Sequence, residues 1–396
     1  MIKTGIDAIA FYTSPFYLDL HTLAEKRNTE YEKFKEGIGI EKIGIPAPDE
    51  DIITMAANAA ATVLADSDPD SVGTLLFATE SGIDQSKSAA VFVHDLLGLS
   101  HHCRVAELKQ ACYASTAALQ AACAIAARNP EKSVLVISAD IARYELNTPG
   151  EATQGCGAVA MIVKADPRLM VIDEKSGCYC ASTWDFWRPN YCSNPLLDGK
   201  FSMINYVKTA KESWKELESV SGIKFDDVDA FCYHLPFSSM GLKAHTKLAK
   251  ETGSAKSREE LEKQLEPTLR YCRQIGNCYS ASAYFSLCSL LDNSEKDLTD
   301  RKIAVFSYGS GCAGEFFTAT PVKGYKERLY TSLHQSMLAS RKEIDFETYL
   351  EYYKAGDILA ETSGNISCPA VTTGNFRFSG IKNHCRMYEK CLQITE

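Results

Sequence analysis

The sequence predicts an α/β fold whose basic unit is used twice, and three observations carry that expectation. Short apolar runs of strand length alternate with longer helical stretches along most of the 396 residues. The central apolar runs lack polar alternation, as strands covered on both faces do. A strand turning into a small-residue helix occurs twice, at Cys112 and again near Asn277. Ala165-Asp166-Pro167 marks the expected boundary, giving one half over 1–167 and a second over 168–396.

In the first half, residues 3–12 read as a strand and 48–66 as an alanine-rich helix. SVGTLLFATE (71–80) is a buried strand ending in a carboxylate, and 87–98 a helix. RVAELKQA (104–111) reads as a strand running directly into a helix over 112–129, followed by strands SVLVISAD (133–140) and GAVAMIVKA (157–165). In the second half, 203–220 is a helix, AFCYHLPF (230–237) a strand entering a loop, and 280–292 a helix. KIAVFSYG (302–309) and GEFFTATPV (314–322) are strands, and a helical stretch near 343–355 stands in a more polar tail.

Acidic residues outnumber basic ones, 51 to 42, for a formal charge of −9. That balance argues against nucleic acid or an anionic membrane as the main partner. No segment approaches the ~20 apolar residues of a membrane helix. The N-terminal apolar run contains Asp7 and reads as a strand rather than a signal peptide, so a cytoplasmic location is expected. The fifteen cysteines are then expected as free thiols. Cys178 and Cys180 form a C-x-C with no second pair, so no metal site is expected. A Walker loop and a G-x-G-x-x-G after a strand are both missing, which leaves nucleotide hydrolysis and hydride transfer unsupported.

Three residues stand out because each closes an apolar strand at what should be one sheet edge. Cys112 sits at a strand-to-helix corner, where the helix dipole would favour thiolate and backbone N–H groups could meet an oxyanion. Glu80 ends LLFATE, where partial desolvation would raise its pKa and suit it to proton transfer. His234 follows an apolar strand and could donate to a carbonyl as neutral imidazole. Taken singly, each also fits a structural role: a core cysteine like Cys123, a capping carboxylate, a buried histidine. Asn277 and Ser310 add polar groups in glycine-flanked loops.

ATESGIDQSKSAA (78–90), ELKQACYASTAALQ (107–120), WDFWRPN (184–190), YHLPFSSMGLKA (233–244), IGNCYSAS (275–282) and FSYGSGCAGEFF (306–317) occur in this order. Together they resemble hydroxymethylglutaryl-CoA synthase, most nearly its bacterial mevalonate-pathway form, within the thiolase-like superfamily. The resemblance implies two similar five-stranded halves in layered αβαβα packing, usually as a homodimer. It implies condensation of acetyl-CoA with acetoacetyl-CoA and water to give 3-hydroxy-3-methylglutaryl-CoA and CoA, with no cofactor beyond these thioester substrates. Cys112 would carry the acetyl group, Glu80 would be the acid/base, and His234 would position acetoacetyl-CoA. Thr153, Ser202, Asn277 and Ser310 would line the acyl pocket, supported by Tyr144 and Asp185, with Lys243 and Lys33 on the CoA side. Ser239 stands where the family commonly has a lysine, so phosphate binding would lean on Lys243 or another cation.

Other readings stay open at this level. A thiolase would use Cys312 of GSGCAG as a second catalytic cysteine, and a ketoacyl synthase could pair His234 with Asn277. A polyketide-associated synthase would perform the same condensation on carrier-protein thioesters. In a different class, the thiols could serve a redox or metal-binding protein.

Overall fold

The structure, a computed structural model, describes residues 2–361 and 364–391. Its first half contains β1 (Thr4–Tyr12), α1 (Ile52–Leu64), β2 (Val72–Ala78), α2 (Ala89–Leu96), β3 (Arg104–Leu108), α3 (Ala114–Arg128), β4 (Ser133–Ala142) and β5 (Gly155–Ala165). The second contains β6 (Met170–Cys180), α4 (Gly199–Ser221), β7 (Ala230–Tyr233), α5 (Ser238–Thr252), α6 (Arg258–Ile275), α7 (Ser282–Asn293), β8 (Ile303–Gly309) and β9 (Ala313–Pro321).

These strands form one sheet in the order β7-β8-β9-β6-β1-β5-β4-β2-β3. In the first half β3, β2 and β4 are parallel, and β5 and β1 follow antiparallel. The second half repeats this from its outer edge inward: β7 and β8 are parallel, then β9 and β6 antiparallel. A short antiparallel contact, Gly5 opposite Val171 and Ile6 opposite Met170, joins the halves.

The expected five-plus-five strands are thus five plus four among the described residues, because nothing in the second half corresponds to β3. Between β7 and β8 the chain runs through α5, α6 and α7, with α5 and α6 following each other directly where the first half inserts β3. Only residues 253–257 separate those helices, and Ser257 and Glu260 form a capping box that starts α6 at once.

Three apolar cores give the layering. The central core sandwiches α3 and α7 between strands of both halves, through residues such as Ala118, Leu119, Val136, Phe285, Leu287 and Val305. The second packs α1 and α2 on the outer face of the first half. The third packs α4, α5 and α6 on the outer face of the second, around Trp214, Phe231 and Phe316. The order is therefore α-β-α-β-α. Beyond β9 lie α8 (Thr331–Ser340), α9 (Phe346–Glu361) and the hairpin β10 (Phe376–Lys382) with β11 (Cys385–Lys390). Asp51, which caps α1, also accepts hydrogen bonds from Arg386 and Tyr388, anchoring that hairpin.

Candidate active site

Glu80 lies just beyond β2, and one buried carboxylate fixes it there. Asp140, on β4, accepts through Oδ1 from Thr79 Oγ1 at 2.8 Å and from the backbone N–H groups of Glu80 and Ser81, each at 2.9 Å. Its Oδ2 accepts from the Ser280 N–H at 2.9 Å and from the Ser280 hydroxyl, tying this loop to the segment entering α7. The Arg188 guanidinium donates to the Glu80 carbonyl oxygen.

The segment carrying Cys112 is a corner rather than a direct run from strand to helix. β3 stops at Leu108 and α3 starts at Ala114. Between them Ala111 adopts φ +45°, a conformation that costs a non-glycine residue and reverses the chain ahead of Cys112. The turn is held by a close approach: a Cβ on Gly309 would lie 2.4 Å from Gln110 O and 2.7 Å from Tyr113 N. Tyr113 donates to Glu315 Oε2 at 2.7 Å, so the next residue is anchored to β9.

Cys112 is 8% exposed, and its Sγ–H donates to Glu80 Oε1 at 2.9 Å. Burial, reinforced by the Asp140 charge, pushes the Glu80 carboxyl up to about 8, against the pull of the Cys112 hydrogen bond and Arg188. Burial and the neighbouring Glu80 hold the Cys112 thiol well above its ordinary range. The expectation of a dipole-stabilised thiolate is therefore corrected. The helix begins two residues after Cys112, beyond the first turn where its dipole acts most, and the thiol is buried against a carboxyl.

His234 follows β7 and continues its ladder, with its N–H donating to Phe306 O at 2.7 Å. Its carbonyl accepts from the Tyr206 hydroxyl at 2.5 Å. The residue is 3% exposed and Nδ1 has no hydrogen-bond partner among the described residues. Burial alone pushes the imidazole down to about 3, so it is neutral at physiological pH. Tyr206, on α4, ties that helix to this corner through the His234 backbone, and burial holds its phenol well above the usual range.

The other expected residues divide into two groups. Tyr144 is buried in one cluster with Cys112 and Tyr279, and Thr153 Oγ1 donates to Gly150 O at 2.8 Å. Asn277 Oδ1 accepts from Tyr279 N and Ser282 Oγ, both at 2.9 Å. Asp185 is buried and accepts from the Tyr308 hydroxyl at 2.5 Å and Gly311 N at 2.9 Å, which sets the loop carrying Ser310. Ser202 is half-buried in the first turn of α4. Lys243 and Lys33 are exposed and stand apart from this cluster. Lys243 Nζ lies 5.6 Å from the Phe237 ring centroid, and Lys33 pairs with Glu30 at 3.3 Å. Ser239 Oγ donates to Gly37 O at 2.7 Å, joining α5 to the turn that contains Lys33.

A cleft of about 1280 Å³ is lined by Glu80, Ala111, Arg188 and Ser310 among others, while the buried Cys112 and His234 are not among its lining residues. Among the described residues, no three His, Cys, Asp or Glu side chains are placed to hold a metal ion. Sequence reasoning passed over Asp140, Arg188 and Tyr206. Asp140 carried the signal that singled out Glu80, a carboxylate closing an apolar strand.

A family model for the hydroxymethylglutaryl-coenzyme A synthase N terminal matches residues 2–168, and one for the C terminal matches 170–252 and 247–357. A hydroxymethylglutaryl-CoA synthase from Enterococcus faecalis is 40% identical over 87% of this chain and 90% of its own length. The polyketide biosynthesis 3-hydroxy-3-methylglutaryl-ACP synthase PksG of Bacillus subtilis is 30% identical over 92% and 91%. A crystal structure of HMG-CoA synthase complexed with CoA superposes with a TM-score of 0.91 at 36% identity, covering 98% of this chain and 100% of that one. With both halves matched in order, the chain belongs to the hydroxymethylglutaryl-coenzyme A synthase family.

Proposed function

We propose that this protein condenses acetyl-CoA with acetoacetyl-CoA and water to give 3-hydroxy-3-methylglutaryl-CoA and CoA, the condensation of the mevalonate route to isoprenoids. The observation that carries the chemistry is the 2.9 Å contact between the Cys112 thiol and the Glu80 carboxyl, which lines the cleft. Cys112 Sγ attacks the acetyl thioester carbonyl. Its proton passes to Glu80 and on to the departing sulfur, so CoA leaves as a thiol. Glu80, again ionised, removes a proton from the acetyl methyl group. The carbanion adds to the ketone of acetoacetyl-CoA, and Glu80 returns the proton to the new alkoxide. Water then cleaves the thioester to Cys112. An acid with its pKa near 8 suits both directions of transfer. Neutral His234 supplies an N–H to the ketone oxygen, while Asn277, Thr153, Tyr144, Ser202 and Ser310 shape the acyl pocket. Lys243 and Lys33 serve the CoA phosphates.

The two lobes on either side of 167/168 act as one unit, since Asp140 and Gly309 hold the reacting loops across them. A homodimer fits the edge strand β3, which pairs only with β2 among the described residues and so offers a second edge. Cytoplasmic residence fits fifteen cysteines that are all free. Greater identity to the Enterococcus enzyme than to PksG favours CoA over a carrier protein.

Mass spectrometry after incubation with both thioesters tests this reading. Hydroxymethylglutaryl-CoA and an acetyl group confined to the Cys112 peptide are expected. An acetylated Cys112 without that product would shift the assignment to carrier-protein substrates, and no adduct would remove the nucleophile.

A further inference from the structure

α4 meets the site with its N-terminal end, and the face it turns inward is polar near that end. Ser202, Asn205, Tyr206 and Thr209 follow one another at helical spacing on this face. Further along, Thr209 Oγ1 lies 3.7 Å from Cys312 Sγ, and Ser213 donates to Gly314 O at 3.2 Å. Asn205, one turn nearer the N-terminus than Thr209, therefore lies towards the Ser310–Cys312 turn, with Tyr206 beside it reaching His234.

Asn205 is 6% exposed, yet its Nδ2 has no hydrogen-bond partner among the described residues. A buried amide donor left unpaired costs stability. The same holds for Nδ1 of His234, so two orphaned polar nitrogens flank Tyr206. Paired polar groups dominate the other corner of the site, where Asp140 alone accepts five hydrogen bonds.

We propose that Asn205 binds the second substrate, donating from Nδ2 to the thioester carbonyl of acetoacetyl-CoA while His234 serves its ketone. This deepens, and rests on, the condensation reading above. The juxtaposition suits a 1,3-dicarbonyl: Asn205 adjoins Tyr206, whose ring centroid lies 6.3 Å from that of His234, so two buried unpaired nitrogens are available for two carbonyl oxygens. Acetyl-CoA, with one acyl carbonyl, uses Cys112 and needs neither. Asn205 thus selects the substrate that enters second.

Two substitutions test the assignment on the full chain. Asn205→Leu fills the volume without a donor, and Asn205→Ala removes both. Calorimetry with acetoacetyl-CoA and steady-state kinetics should show Kd and KM for this substrate raised by about fivefold, the scale of one lost hydrogen bond. The rate at which acetyl-CoA acetylates Cys112 should not change. Tm should hold or rise in the leucine variant, because the unpaired donor is gone; an asparagine kept for structure would lower it. Unchanged affinity for acetoacetyl-CoA in either folded variant would overturn the proposal. So would a lowered Tm with acetylation and condensation impaired alike. A wild-type protein that binds acetoacetyl-CoA but makes no hydroxymethylglutaryl-CoA would break the condensation reading, while the binding comparison still decides the role of Asn205.

Discussion

The two corners of the site are built on opposite plans. At the Cys112 corner the polar groups have partners: thiol to Glu80, and the Glu80 loop to Asp140. At the His234 corner the backbone is satisfied but the side-chain nitrogens of His234 and Asn205 are not. At the paired corner carboxyl and thiol lie in hydrogen-bond contact, as the proton exchange we propose between them requires, and both are pushed upward by shared burial. The unpaired corner is the one we propose to meet the second substrate, and its imidazole is kept neutral by desolvation alone. On the proposed mechanism, reacting groups are set in advance, whereas binding groups are left with capacity.

The comparison breaks most visibly at Glu80. Glu80→Gln should lower condensation turnover by about 10³- to 10⁴-fold, the upper range for a general acid/base, while Cys112 still accepts an acetyl group more slowly. Rapid-quench assays of the two half-reactions separate these effects. His234→Ala should cost less, about 10²-fold in kcat/KM for acetoacetyl-CoA, with acetylation by acetyl-CoA preserved. Equal losses in both half-reactions would merge the corners into one.

Gly309→Ala probes the contact that sets the nucleophile turn. The added Cβ meets backbone atoms that cannot swing aside, so a destabilisation of about 1–3 kcal/mol is expected in denaturant unfolding, together with slower acetylation. The smallest effect sharpens the electrostatic contrast. With its folded pKa near 8 against an ordinary 4.5, Glu80 makes the native state bind more protons than the unfolded chain across that interval. Its contribution to stability therefore falls as pH rises from about 4.5 to 8. His234 acts with the opposite sign, its stability contribution falling as pH drops from about 6.5 towards 3. Unfolding of Glu80→Gln should accordingly show a stability gain over wild type that is larger at pH 8 than at pH 5.

Much of this was legible in the sequence, for identifiable reasons. Glu80 and Cys112, which the structure brings into contact, stood out because apolar strands deliver the loops that follow them to one edge of an α/β sheet. The boundary near 166–170 falls between β5 and β6. What escaped depends on long-range contact. Strand β6 carries polar residues along much of its length, which hid it from a search for apolar runs. Helices α5 and α6 went unnamed, and with them the reason the second half holds four strands. Ala111 gives no hint that it must take a left-handed conformation, since the turn is imposed by Gly309 two hundred residues away. The thiolate expectation failed because a helix dipole can be read from sequence and the burial of a thiol against a carboxylate cannot.

The central claim is that Glu80 is the base acting on the acetyl group held by Cys112. Its most direct test is deuterium exchange into the methyl group of acetyl-Cys112 in D2O, followed by mass spectrometry of the Cys112 peptide with acetoacetyl-CoA omitted. The account predicts incorporation in the wild-type protein and an acetyl group that stays protiated in Glu80→Gln. Equal incorporation in both proteins would contradict it.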